Sequence, residues 1–173
     1  MKIGVRVHDF GKSDAITLAK QAKEVGFDGV QFVLNKAIEG ETGLPGTLTK
    51  EKALIYQKAF KDQGLEIFMM GAYFNPVHSN KELVETNILK FKEHLTYLND
   101  FDGHYVGSET GSFNDDKWTY NPLNRTEEAF QEVKRIFGGL AEYAKEVDAK
   151  IALEGAFGHC MHNPKALKRL VSV

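Results

Sequence analysis

A single α/β domain built from parallel strands is the fold class this sequence predicts, and three observations predict it. Short apolar runs alternate with amphipathic helical segments along the whole chain. No two runs are joined by a hairpin signal, so each strand must return over a helix, which gives parallel pairing with right-handed crossovers. Finally, each apolar run gives way to polar or aromatic side chains: His8, Asn35, Tyr73 with Asn75 and His78, Glu109, and Glu154.

The elements follow in order. The first apolar run, residues 3–7, precedes a helix over 14–25, with Ser13 as its cap and Gly26 as its stop. A second run covers 30–34. After a Gly/Pro/Thr loop at 40–47, Thr49 caps a helix that runs to about residue 63, and Gly64 ends it. The third run is 67–73, and Asn80 caps a long helix reaching residue 98. The fourth run is 105–109. A polar loop at 111–124 exceeds the usual α/β connection, which favours a lid or binding role. Thr126 or Asn124 opens a helix to residue 147, in which Gly138-Gly139 marks a kink or a close packing point. The fifth run is 151–153, and Asn163-Pro164 starts the last helix.

Composition sets bounds. With 173 residues, 42% apolar and 27% charged, residues 1–173 form one ordinary globular domain. A net charge of −2 with dispersed Lys and Arg gives no nucleic-acid footprint. No apolar run approaches the roughly 20 residues of a membrane span. The single cysteine and a polar N-terminus without a signal peptide make the cytoplasm the expected compartment.

Two architectures remain. Length favours an open doubly wound sheet, because a TIM-type barrel needs eight units and typically about 250 residues. The loops favour the barrel. The first loop, residues 8–13, has one glycine and no phosphate fingerprint, whereas polar residues at successive strand ends are how a barrel builds its site.

Glu154 is the foremost site candidate, since a charge at the end of a buried strand is costly unless compensated. It reads as a metal ligand or an acid/base at a barrel mouth, or else as a strand-end carboxylate paired with a lysine. Glu109, in SETGS, repeats that position and reads as a substrate or outer metal-site group, or as a turn carboxylate. His78 and His159 read as substrate-binding imidazoles or as loop histidines, and His162 as a lesser candidate. Cys160 reads as inert packing. Trp118, Tyr120 and Phe113 in the long loop form either a sugar-stacking lid or plain hydrophobic anchors.

The segments GFDGVQF, GAYFNPVH, GSETGS and IALEGAFGH, in this order, resemble the sugar phosphate isomerase/epimerase family of the xylose isomerase-like TIM-barrel superfamily. The resemblance implies a (β/α)8 barrel of which this chain holds the first five βα units, C-terminally truncated before strands six to eight. It implies one divalent cation (Mn, Mg, Co or Zn) ligated from the ends of strands five to eight, with Glu154 as the first ligand and a proton-transfer group. The cation would polarise a carbonyl and stabilise an enediolate. Glu109, His78, His159, Tyr73 and Asn75 would bind the sugar or sugar-like polyol.

Three departures stand out. The later ligands fall beyond Val173, so cation binding is expected to be weak or absent. Gln31 stands where relatives often carry Glu, and Phe157-Gly158-His159-Cys160 where epimerases carry another acid. The expected function is therefore a metal-dependent isomerase or epimerase, with a non-catalytic barrel segment as the alternative. An inosose dehydratase-like lyase and an endonuclease IV-like repair enzyme stand lower. Unpaired parallel edges would drive such a chain towards a homo-oligomer.

Overall fold

The computed structural model describes residues 1–172. Its sheet has five parallel strands in the order β1-β2-β3-β4-β5: β1 Gly4–Arg6, β2 Gly29–Phe32, β3 Glu66–Gly71, β4 Val106–Glu109 and β5 Ile151–Glu154. The helices are α1 Ala15–Val25, α2 Leu34–Ala37, α3 Lys50–Lys61, α4 Lys81–Tyr97, α5 Glu127–Glu146 and α6 Pro164–Val171. The strictly sequential order decides between the two architectures. A doubly wound sheet reverses its strand order part-way. Here each strand is laid beside its predecessor, so crossovers of one hand put the helices on one face, as in a barrel.

Burial alternates accordingly. Val30 and Phe32 of β2, and Val106 and Ser108 of β4, are buried on the helix side, while Gln31 and Glu109 on the other face are part-exposed. The helix-side core holds two aromatic clusters. Phe32 lies edge-on to Phe60 at 5.1 Å and to Phe101 at 6.2 Å. Phe74, Phe91 and Phe137 meet at 5.8–6.2 Å. Such edge-on or tilted contacts add roughly 0.5–1.5 kcal/mol each beyond area burial.

The inner face is shaped by glycine. A Cβ at Gly4 or Gly29 would lie 2.7 Å from the Phe68 ring, so only glycine lets that ring fill the barrel floor. The register shift between Val30 and Gln31 lies where Phe68 is the extra residue of β3.

Capping follows the sequence closely. Thr49, Asn80, Thr126 and Asn163 each accept a hydrogen bond from a first-turn amide of α3, α4, α5 and α6. Three local expectations are corrected. Asp14, not Ser13, caps α1, accepting from the Thr17 amide at 2.9 Å; a carboxylate also suits the positive helix end. Residue 7 leaves the first strand for a 3-10 turn, Val7–Phe10, and residue 34 starts α2 rather than ending β2.

Gly138 and Gly139 are not a close packing point. α5 continues through them, and a Cβ at either would meet nothing within 4 Å. Gly139→Ala should therefore raise stability by about 1 kcal/mol, read as a higher urea midpoint at unchanged slope. A lower midpoint would mean that the position packs against something.

Candidate functional site

The C-terminal ends of all five strands open into one pocket of about 440 Å³. Its acidic wall comes from the β4/β5 ladder. Glu109 and Glu154 are register partners on adjacent strands, so period-two alternation sends both carboxylates to the inner face. No lysine or arginine makes a close ion pair with either among the described residues, and Glu109 makes no side-chain hydrogen bond there. Burial, and next the charge of Glu154, push the Glu109 carboxyl above the usual carboxylate range, with Lys36 opposing.

Tyr73 ties the wall together. It lies just beyond β3, and its hydroxyl donates to Glu154 Oε1 at 2.5 Å. The Gln31 amide donates to the same Tyr73 oxygen. Burial and the Glu154 hydrogen bond raise the phenol well above its ordinary value, so it stays a donor. Gln31 thus supplies a neutral donor to this chain of contacts.

The facing wall is polar and basic. Arg6 points inward two residues after Gly4 and is engaged by Asp9 at 3.0–3.1 Å. His8, turned inward by the 3-10 segment, lines the pocket and has a buried Nδ1 without a partner. Burial, then Lys36, keep its imidazole pKa low, so it presents a neutral ring. Lys36, on α2, is exposed and lines the same pocket. Arg6 and Lys36 were not anticipated. Arg6 was open to detection from strand alternation; Lys36 depends on the unforeseen turn of α2.

Trp118 reaches the rim from the long loop and stacks obliquely on His159, with centroids 5.1 Å apart. His159 is 3% exposed and does not itself line the pocket. Its loop is clamped by Arg125, which donates to the carbonyls of Phe157 and His159, and by Asn124, which donates to Gly158 O.

The structure thus gathers Glu154, Glu109 and Tyr73, with His159 one layer behind Trp118. Asn75 and His78 lie apart. Asn75 is 8% exposed and uses its whole amide on the long loop: Nδ2 donates to the carbonyls of Ser112 and Asp115, and Oδ1 accepts from the Val77 and Ser112 amides. His78 Nδ1 accepts from the Asn80 amide at 2.9 Å, and its ring sits beside Asp115 and Asp116. Cys160 is buried, and burial pushes its thiol up to about 12, which suits packing.

Among the described residues, no group of three or more His, Cys, Asp or Glu side chains is placed to hold a metal ion. Glu154 is already bonded to a phenol, and the imidazole that stacks on Trp118 lies behind it. Two carboxylates without a third anionic or imidazole donor do not fit a tightly held divalent cation.

No curated protein matches the chain by sequence. Solved structures do match by shape. A xylose isomerase-like TIM barrel protein from Mycobacterium smegmatis, in complex with magnesium, aligns with a TM-score of 0.68 at 14% identity, covering 99% of this chain and 60% of its own. A D-tagatose 3-epimerase-like protein gives 0.70 at 19%, covering 99% and 60%. The probable 3-DHS dehydratase AsbF from Bacillus anthracis gives 0.70 at 16%, covering 99% and 58%. The chain thus spans less than two thirds of each of these structures, and at such identities they share its fold. The sequential parallel sheet, the polar strand ends and a match over residues 19–172 to the model of that name agree: this chain belongs to the xylose isomerase-like TIM barrel family.

Proposed function

We propose that this chain carries the substrate-binding and proton-transfer face of a sugar isomerase or epimerase. The observation that carries this reading is the Glu109/Glu154 pair across one ladder position at the pocket mouth, with the Tyr73 hydroxyl fixed on Glu154. The substrate class is a small sugar or polyol bearing a carbonyl.

Each residue has a role. Glu154, oriented by Tyr73, takes the proton from the carbon next to the carbonyl. Glu109, whose burial favours the protonated form, returns a proton to the enediolate or its oxygen. His8 offers its unspent imidazole nitrogen to a hydroxyl, and Trp118 covers an apolar sugar face. A divalent cation, as in the magnesium-bound neighbour, would add polarisation of the carbonyl. The donors gathered here do not complete a site for it, so tight metal dependence would require further ligands.

Solvent exchange tests the reading. In D2O, the chain should introduce deuterium beside the carbonyl of a ketose, followed by proton NMR. Glu154→Gln should slow that exchange by at least about 100-fold, the lower range of general-base contributions. No exchange by the unaltered chain, with magnesium or manganese also supplied, would sink the proposal and leave a non-catalytic barrel segment.

A further inference from the structure

We propose that the β1/β2 wall of the pocket receives a carboxylate, held by Lys36 with Gln31 and Arg6, so that the substrate is a keto sugar acid rather than a neutral sugar. This rests on the sugar-binding reading above and deepens it by naming the substrate's charge.

The pocket is polarised along the sheet. Arg6 and Gln31 are register partners on β1 and β2, just as Glu109 and Glu154 are on β4 and β5. Strand alternation therefore gathers N–H donors at one end of the pocket and carboxylates at the other. Lys36 lines the same pocket and makes no ion pair among the described residues. Its charge acts on both His8 and Glu109, so it stands within electrostatic reach of both walls.

Lys90 of α4 adds to that field. A Cβ at Gly43 would lie 3.3 Å from Lys90 Nζ and 2.9 Å from Asn35 Cβ, so this second ammonium sits beside the residue that precedes Lys36. Lys90 also lacks a carboxylate partner among the described residues, and burial, then Lys36, lower its pKa. Two neighbouring ammonium groups without a counter-ion hold an excess of positive potential, which an anionic ligand relieves.

The donors at that end have capacity left. Gln31 gives one amide hydrogen to Tyr73 and keeps the other. Arg6 spends Nε and Nη2 on Asp9 and retains Nη1, so it is held in place while its charge is already matched. His8 is neutral and adds no charge. The pocket thus offers one unmatched cation together with two planar N–H groups, which fits the single charge and paired oxygens of a carboxylate. A phosphate ester fits less well. It calls for a cradle of backbone amides, and the 8–13 loop holds a single glycine.

Trp118 lines the pocket and is the chain's single tryptophan, so its emission reports occupancy without turnover. D-fructose, D-fructuronate and D-fructose 6-phosphate form a matched set: one ketose that is neutral, or carries a carboxylate or a phosphate at its far carbon. At low salt, D-fructuronate should saturate at about tenfold lower concentration than D-fructose, the gain from one charge-assisted hydrogen bond. Lys36→Gln, at an exposed position, should erase that difference at an unchanged urea midpoint, and Lys36→Arg should restore it. The unaltered chain gives the same test through salt: the difference should shrink at about 1 M, where the Debye length is only about 3 Å. Equal saturation by D-fructuronate and D-fructose would overturn the carboxylate wall and leave the sugar reading standing. Tighter binding of the phosphate than of the carboxylate would overturn it as well. A preference that survives both Lys36→Gln and high salt would remove Lys36 from the site and overturn the proposal. A response to none of the three would overturn the sugar reading too.

Discussion

Asn75→Asp is expected to destabilise the protein by about 3–4 kcal/mol and to release the long loop. The Asn75 amide donates to Ser112 O at 2.7 Å and to Asp115 O at 2.8 Å, and accepts from two amides; the Asn75 side chain is buried, with only the Asp115 contact towards the surface. The aspartate keeps the two acceptor contacts but turns both donors into an oxygen facing two carbonyls. Leaving buried partners unsatisfied costs about 1–3 kcal/mol each. Gly111 leaves no slack, since its backbone, at φ +71°, already abuts the Asn75 amide. The effect should reach the pocket, because the tethered loop carries Trp118. Urea unfolding at pH 7 measures the stability loss. Trp118 emission in the folded range measures the release, as a red shift before the main transition. A midpoint and emission equal to the parent's would show that the loop is held by other contacts.

Asn75 also shows what the sequence carries and what it leaves out. Helix caps were legible because a cap and its amide lie within three residues, as at Thr49, Asn80 and Asn163. Glu109 and Glu154 were legible because alternation along a strand fixes which face a side chain takes, and strand ends are where a barrel puts its chemistry. Asn75 sits at such a strand end too, yet its partners are 37 and 40 residues away, and nothing local shows that they claim its whole amide. The same holds for His159, which reaches Trp118 only through the folding of two loops. Strand order was likewise beyond length alone, since a chain of this size would suit either an open sheet or a barrel segment. It took the observed ladder from β1 to β5 to decide. What distance in sequence hides is which polar residues serve the ligand and which serve the loops.

The second large effect is an acid sensitivity centred on His94, a residue of α4 that the helical reading passed over. It is 3% exposed, its Nδ1 bonds to Lys90 O at 2.9 Å, and burial drives its pKa down to about 4 from 6.5. The nearby Lys90 ammonium opposes its protonation as well. Because the folded pKa lies below the unfolded one, the unfolded chain binds the extra proton first. Stability is therefore fully present above about pH 6.5, falls as pH drops towards 4, and levels off below. From the two pKa values, His94 removes about 2 kcal/mol between pH 7 and pH 5. The carboxylates with lowered pKa values, Glu127 and Glu132 among them, weaken the fold mainly below that window. His8 and His159, whose pKa values burial also lowers, act inside it, so only a difference isolates His94. His94→Leu keeps the buried volume apolar and removes the titration. Urea midpoints at pH 7 and pH 5 should converge in the variant by about 2 kcal/mol relative to the parent. Equal losses in both chains would mean that the imidazole gains a compensating partner on protonation, which the present packing around α4 does not supply.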